Sequence, residues 1–214
     1  KSEEKKYHVE NPRIFCQRTF FNKEISLLIL IDSSLSTDSF VGNQRILPFF
    51  QSITSLLVGV LESVENHVGI YSFYSQTRNQ CYLEKIKSFK NSYKVAKENL
   101  SYLKPQHYTR MGPAIRHMGS LFDKEKSRKK LLIILSDGKP TDFDRYEGRH
   151  GFEDTKKALD ELSMRKISSH LFSFSSKKEK YISTIFTKKN FSIITQEEEF
   201  LDKMMSLLYF LIKR

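Results

Sequence analysis

Ile25-Ser26-Leu27-Leu28-Ile29-Leu30-Ile31 runs straight into Asp32-Ser33-Ser34-Leu35-Ser36. A continuous apolar run of strand length, closed by a polar turn, is the pattern of a strand buried on both faces, and parallel strands are buried that way. The turn sets a carboxylate and two hydroxyls, Asp32, Ser34 and Ser36, at i, i+2 and i+4 where that strand ends. Asp and Ser also favour turns and helix N-caps, so the pentapeptide alone reads more readily as a plain cap or turn. Two later oxygen donors change the reading. Thr109 stands in Tyr108-Thr109-Arg110-Met111-Gly112, just ahead of a helical stretch, and Asp137 follows a second apolar run, 131–136. Asp32, Ser34, Ser36, Thr109 and Asp137 together form a set of hard oxygen ligands. Such a set suits Mg²⁺ or Mn²⁺, with Ca²⁺ in the same class, better than zinc, which prefers His and Cys.

Outward from the first strand, residues 37–46 are polar and read as a connection, and 47–64 as a long apolar-rich helix with Pro48 in its first turn. Residues 68–74 give the next strand and 81–86 a shorter one suited to a sheet edge. Helical periodicity over 91–103 stops before Pro105, and a short helix over 113–122 opens on Pro113. Strand 131–136 leads into a long polar loop, 137–151, punctuated by Gly and Pro, and then a helix over 152–166. Strand 169–173, helix 178–186, strand 191–194 and helix 197–212 complete the chain. Alternating strands and helices predict a doubly wound α/β fold, a mostly parallel central sheet flanked by helices. Ligands collect at the carboxyl ends of strands in such sheets, near the point where strand order reverses, and Asp32 and Asp137 both end strands. Repeats, low-complexity tracts and linkers are absent, so the expected organisation is a lead-in over 1–24 and one domain over 25–214.

With 39% hydrophobic and 13% aromatic residues in 214, the chain has material for a genuine core, and disorder is excluded as its main character. Its apolar runs are strand-length, short of the roughly 20 residues a membrane-spanning helix needs. The chain starts at Lys1 without Met, as a piece of a longer polypeptide would. Cys16 and Cys81 are too few for a disulfide scaffold and lack ligand spacing, which points to a reducing, cytoplasmic setting. The formal charge of +11 could attract nucleic acid, an anionic membrane or an acidic protein. The lysine-rich runs 124–130 and 177–180 flank expected elements and read as solvated loops, and no RRM, homeodomain or zinc-finger pattern accompanies them.

The order Asp-x-Ser-x-Ser, then Thr, then Asp resembles the metal-ion-dependent adhesion site of von Willebrand factor type A domains. That resemblance implies direct cation contacts from Ser34 and Ser36, a contact from Thr109 in the partner-engaged state, and water-mediated roles for Asp32 and Asp137. It also implies one coordination position left open for a partner's Asp or Glu. Tyr108-Thr109-Arg110-Met111-Gly112-Pro113-Ala114-Ile115-Arg116-His117 and Asp137-Gly138-Lys139-Pro140-Thr141-Asp142-Phe143-Asp144-Arg145-Tyr146-Glu147-Gly148-Arg149 are similar to the family of the nitric oxide reductase activation protein NorD and the Rubisco activation protein CbbO. Glu153-Asp154-Thr155, and Phe73-Tyr74-Ser75 with Arg78, continue the likeness. The resemblance implies an adhesion-type domain that works with a MoxR-class AAA+ ATPase to activate or mature a client metalloenzyme such as nitric oxide reductase. Ser88, Lys90 and the Phe172-Ser173-Phe174-Ser175 stretch depart from the acidic character expected there.

The 139–149 loop surrounds Tyr146 with mixed charge, and Lys139, Asp142, Asp144, Tyr146, Glu147 and Arg149, with Arg110, are candidate partner contacts. The alternative is internal support of a long ordered loop, with Asp142 capping a turn and Arg149 pairing with Glu147. Arg116 reads as structural. Catalysis finds little footing: a dehalogenase-type phosphatase needs a second Asp where Ser34 stands, and neither a phosphate-binding Gly-rich loop nor a Gly-x-Ser-x-Gly elbow occurs. His107 and His117 have no partner pattern to make them bases. The expectation is a binding module and not an enzyme, with a basic nucleic-acid binder as the competing class.

Overall fold

The computed structural model describes residues 25–62, 67–174 and 182–213. The lead-in over 1–24, Cys16 and the 177–180 lysine run lie outside them. β1 (Ile25–Asp32) is buried at all 8 of its residues, as its two-sided apolar sequence requires. A 3-10 turn, Leu35–Asp38, and a small hairpin, β2 (Phe40–Val41) with β3 (Gln44–Arg45), follow where the sequence suggests only a connection. Then come α1 (Ile46–Glu62), β4 (His67–Thr77), β5 (Gln80–Lys87), α2 (Tyr93–Ser101), α3 (Met111–Phe122), β6 (Lys129–Leu135), α4 (Gly148–Met164), β7 (Ile167–Phe174), α5 (Ile182–Ile185), β8 (Phe191–Ile194) and α6 (Glu197–Lys213). Helix α4 starts at Gly148, a turn earlier than its apolar periodicity shows, because Arg149 and His150 are exposed and leave no hydrophobic mark.

The sheet has the order β5-β4-β1-β6-β7-β8. Every pairing is parallel except β4 with the edge strand β5, which is antiparallel. Strand alternation divides the core. Leu27, Ile29 and Ile31 of β1 join Leu131, Ile133 and Leu135 of β6 on the face covered by α1, α2 and α6. Phe49 of α1 stacks on Phe174 there, with ring centroids 3.9 Å apart. Leu28, Leu30, Leu132 and Ile134 face α3 and α4 through Met111, Ile115, Met118, Ala158 and Leu162. Each fully buried Leu or Ile contributes about 1.5–3 kcal/mol of transfer free energy, so the central strands anchor both layers.

From β1 the chain runs outward to β4 and β5 on one side, then returns to lay β6, β7 and β8 on the other. The order therefore reverses at β1, and the crevice beyond the carboxyl ends of β1 and β6 is the switch point where α/β sheets collect ligands. Among the described residues no helix is long and apolar enough to cross a membrane.

Candidate metal centre

Register builds the site. Ile31 pairs with Leu135 across β1 and β6, which brings the next residues, Asp32 and Ser136, level with each other. By alternation both project on the α3 and α4 side, and Ser136 Oγ donates to Asp32 Oδ2 at 2.6 Å. Asp32 is fully buried, and the Ser34 backbone N–H donates to its Oδ1 at 2.9 Å. Burial, and then the nearby charge of Asp137, hold the Asp32 carboxyl well above the ordinary carboxylate range, while hydrogen bonds from Ser136 and Ser34 work in the opposite direction. Asp137 Oδ1 accepts from the Lys139 N–H at 3.0 Å, and Ser136 Oγ accepts from the Gly138 N–H at 2.9 Å. Gly138 sits at φ +82°, a left-handed conformation that Gly adopts without strain. It lets the chain turn immediately after Asp137.

The segment carrying Thr109 is strapped across these strand ends. Gln106 N–H donates to Ser33 O at 2.7 Å, and Leu35 N–H to His107 O at 3.0 Å, tying it to the Asp32 turn. Tyr108 and Ser75, just beyond the strand residue that pairs with Asp32, exchange both backbone hydrogen bonds at 2.8 Å. Thr109 and Thr141 do the same at 2.7 and 2.9 Å. The three sequence-predicted ligand stretches thus meet at one crevice: Thr109 is 2% exposed and Ser34 1%, while Ser36 is open to solvent.

Ser34 Oγ and Ser36 Oγ lie 2.9 Å apart. That is a hydrogen bond between the two hydroxyls, and adjacent corners of an octahedron with metal–oxygen bonds of about 2.0–2.1 Å would need a similar separation of about 2.9 Å, so both oxygens could turn onto a Mg²⁺-sized ion with little movement. The charge of the half-exposed Asp137 acts on the buried Asp32 carboxyl, and a cation between the two would offset it. No group of three or more His, Cys, Asp or Glu that could hold a metal occurs among the described residues. The donor set here is mostly hydroxyl, with Asp32 and Asp137 as its carboxylates, and it fits a hard divalent cation.

Behind Thr109, a chain of charges, buried at Arg110 and Asp142 and part-buried beyond them, supports the following loop. Arg110 Nε donates to Asp142 Oδ2 at 2.9 Å, its second prong reaches Asp144 Oδ1, and its guanidinium lies 4.0 Å from the centre of the Tyr146 ring. The Tyr146 hydroxyl donates to Asp154 of α4 and accepts from the Gly112 N–H at 3.4 Å; burial and Asp154 push its pKa up. Arg116 then binds Asp154 and Glu161, each at 2.8 Å. A side chain at Gly112 would collide with the Asp154 carboxylate, so the close approach of α3 to α4 needs Gly there.

Residues 26–206 match the von Willebrand factor type A domain. The chain belongs to that family. It is 31% identical to Protein NorD of Brucella abortus (strain 2308) over 172 residues, 80% of this chain and 27% of that protein. It is 30% identical to Protein NorD of Stutzerimonas stutzeri over 202 residues, 90% of this chain and 33% of that protein. The chain therefore spans about a quarter to a third of the length of these curated relatives. Among solved structures, the conserved hypothetical protein BatB from Bacteroides thetaiotaomicron superposes with TM-score 0.65 at 14% identity, covering 89% of this chain and 100% of that one. The pilus adhesin SpaC from Lactobacillus rhamnosus GG gives TM-score 0.66 at 13% identity, covering 90% of this chain and 31% of that one. Likeness at this level speaks to the fold.

Within this von Willebrand factor type A domain, the candidate partner residues separate into two groups. Arg110, Asp142 and Tyr146 are buried, at 7%, 5% and 1% exposure, and spend their polar groups on each other and on α4. The structure thus corrects their assignment as surface contacts: they are the internal support of the loop. Asp142 also caps its turn, its Oδ1 accepting from the Phe143 N–H at 2.7 Å. Lys139, Glu147 and Arg149 stay exposed, and Asp144 is partly so, also accepting from the Arg78 N–H at 3.1 Å. Ser136 and Asp154 escaped sequence reasoning as supporting residues. A signal for Ser136 was present, since parallel register sets the residue before Asp137 level with Asp32. In the 124–130 run, Lys124, Lys126 and Arg128 are exposed, whereas Lys130 Nζ donates to Phe122 O at 2.7 Å and so caps α3.

Proposed function

We propose that this domain is a non-catalytic, metal-dependent protein-binding module. Asp32, Ser34, Ser36, Thr109 and Asp137 would hold Mg²⁺, or Mn²⁺ or Ca²⁺ in its place, and the ion would supply a position for a carboxylate oxygen of another protein. What supports this reading is that the Asp32 turn, the strap carrying Thr109 and the end of β6 are bonded to one another at the switch-point crevice, through Gln106 N–H on Ser33 O, Leu35 N–H on His107 O and Ser136 Oγ on Asp32 Oδ2. The protein's own part is preparation. Ser136 and the Ser34 N–H orient the buried Asp32 carboxylate, and the backbone strap through residues 106–109 holds Thr109 at the crevice.

Likeness to NorD supports a finer assignment, in which the bound carboxylate belongs to a MoxR-class AAA+ ATPase or to a client metalloenzyme such as nitric oxide reductase. Isothermal titration with Mg²⁺ tests the site: the native domain binds and Asp32→Ala does not. Co-purification with the cognate MoxR-class ATPase in Mg²⁺ and in EDTA tests the partner. Loss of the complex in EDTA and in Asp32→Ala is expected, and a complex undiminished by either refutes the metal bridge. The basic charge offers a competing reading, which tight, salt-sensitive binding of a fluorescent oligonucleotide would favour.

A further inference from the structure

We propose that Leu35, Tyr108 and Phe143 form an apolar collar around the metal centre, and that the partner segment it accepts carries its acidic residue between apolar side chains. The inference rests on the metal-dependent reading above and specifies what flanks the carboxylate.

Each collar residue comes from a different part of the ligand-bearing backbone. Leu35 lies between Ser34 and Ser36, Tyr108 immediately precedes Thr109, and Phe143 follows Thr141, the residue bridged to Thr109. They are 57%, 37% and 75% exposed. Apolar side chains scattered singly over a surface need no explanation, but here two rings touch and the third residue is held beside them through the backbone. The Leu35 N–H donates to His107 O at 3.0 Å, which fixes Leu35 beside the Tyr108 strap, and the Tyr108 and Phe143 rings lie 6.4 Å apart. Their immediate neighbours Ser34, Thr109 and Asp142 are buried, so the collar stands on fixed backbone and loses little freedom when covered.

Charge at the rim agrees. The 137–147 loop keeps its Asp142 and Asp144 carboxylates on Arg110, leaving Lys139 and Arg145 exposed together with Glu147. With a cation in the crevice, the surface inside the collar favours an anion. A lone carboxylate meeting a hydrated ion exchanges one set of good interactions for another. Apolar flanks that pack on Leu35, Tyr108 and Phe143 exclude water from that contact and strengthen it. The occupant is therefore an acidic loop with aliphatic or aromatic neighbours, in preference to a polyacidic tail.

Selection of a phage-displayed random 12-mer peptide library on the Mg²⁺-loaded domain, with elution by EDTA, tests this. EDTA-eluted peptides are expected to carry an Asp or Glu within two positions of an aliphatic or aromatic residue. The best peptide should bind at least about tenfold more weakly to Phe143→Ser and to Leu35→Ser, two variants whose Mg²⁺ titration stays within about twofold of native. Acidic peptides without apolar neighbours, or unchanged affinity in both variants, overturn the collar while leaving the metal bridge standing. Peptides released by detergent but not by EDTA overturn it too, since the apolar patch would then act without the ion. Absence of any EDTA-eluted peptide, with no Mg²⁺ binding, sinks the metal-dependent reading itself and the collar with it.

Discussion

Replacing Arg110 by Ala should cost the domain about 3–5 kcal/mol, the usual penalty for removing one partner of a buried ion pair. Side-chain exposure is 8% for Arg110 and 0% for Asp142, so the abandoned Asp142 carboxylate has no route to solvent without loop movement. Asp144, at 28%, can rehydrate and adds less. Loss of the guanidinium over Tyr146, at 4.0 Å, contributes within the same total, since a contact of this kind is worth about 0.5–2 kcal/mol. Because whole-domain stability is about 5–15 kcal/mol, Arg110→Ala is expected to fold only marginally. Arg110→Lys, which keeps the charge and loses the two-pronged fork, is the milder probe, with about 1–2 kcal/mol expected. The chain has no Trp, so urea unfolding is best followed by far-ultraviolet circular dichroism. Arg110→Ala with Asp142→Ala should recover part of the loss, giving a coupling of about 1–3 kcal/mol. A cost below about 1 kcal/mol for Arg110→Ala, or strict additivity with Asp142→Ala, would refute the claim that this pair holds the loop.

Ser136→Ala should lower Mg²⁺ affinity about 10- to 100-fold in calorimetry and cost about 1–3 kcal/mol in urea unfolding, because the fully buried Ser136 Oγ orients Asp32 and also accepts from the Gly138 N–H. His170, hydrogen-bonded to Ser192 at 3.0 Å, has its pKa lowered from 6.5 to about 4 by burial and then by Lys203. The unfolded chain binds the extra proton between those values, so stability should rise with pH through that window by up to about 1.4 kcal/mol per unit and be lost as pH falls through it. His170→Gln should flatten that slope in urea titrations run at pH 5 and pH 7.

The central strands and most helices were legible because apolar content and period coincide there: β1 and β6 are continuous apolar runs, and α1, α3 and α6 carry core residues at helical spacing. The turn after β1 was legible for a different reason, the Asp and Ser residues that close an apolar run. The β2–β3 hairpin was not, since Phe40–Val41 and Gln44–Arg45 are largely exposed and leave no alternation to read. The role of the loop after Asp137 was open in sequence between partner contact and internal support. Composition lists Arg110, Asp142 and Tyr146 as interface-like residues, and only three-dimensional contact reveals that they satisfy one another. Burial of charge is decided by pairing, and pairing across α3, the loop and α4 is invisible along the chain.

The paired backbone exchanges of Tyr108 with Ser75 and of Thr109 with Thr141 have a thermodynamic corollary. A residue bonded at its own peptide groups to a second stretch cannot shift alone, so if Thr109 moved toward a bound cation, Thr141 would move with it, and behind it the turn closed by the Asp142 N–H on Tyr146 O at 3.0 Å. Occupancy at one end and order at the other would then share a single free energy, and each would bias the other by the same factor. Whatever grips the exposed outer side of that turn would thereby tune the affinity of the crevice without touching it.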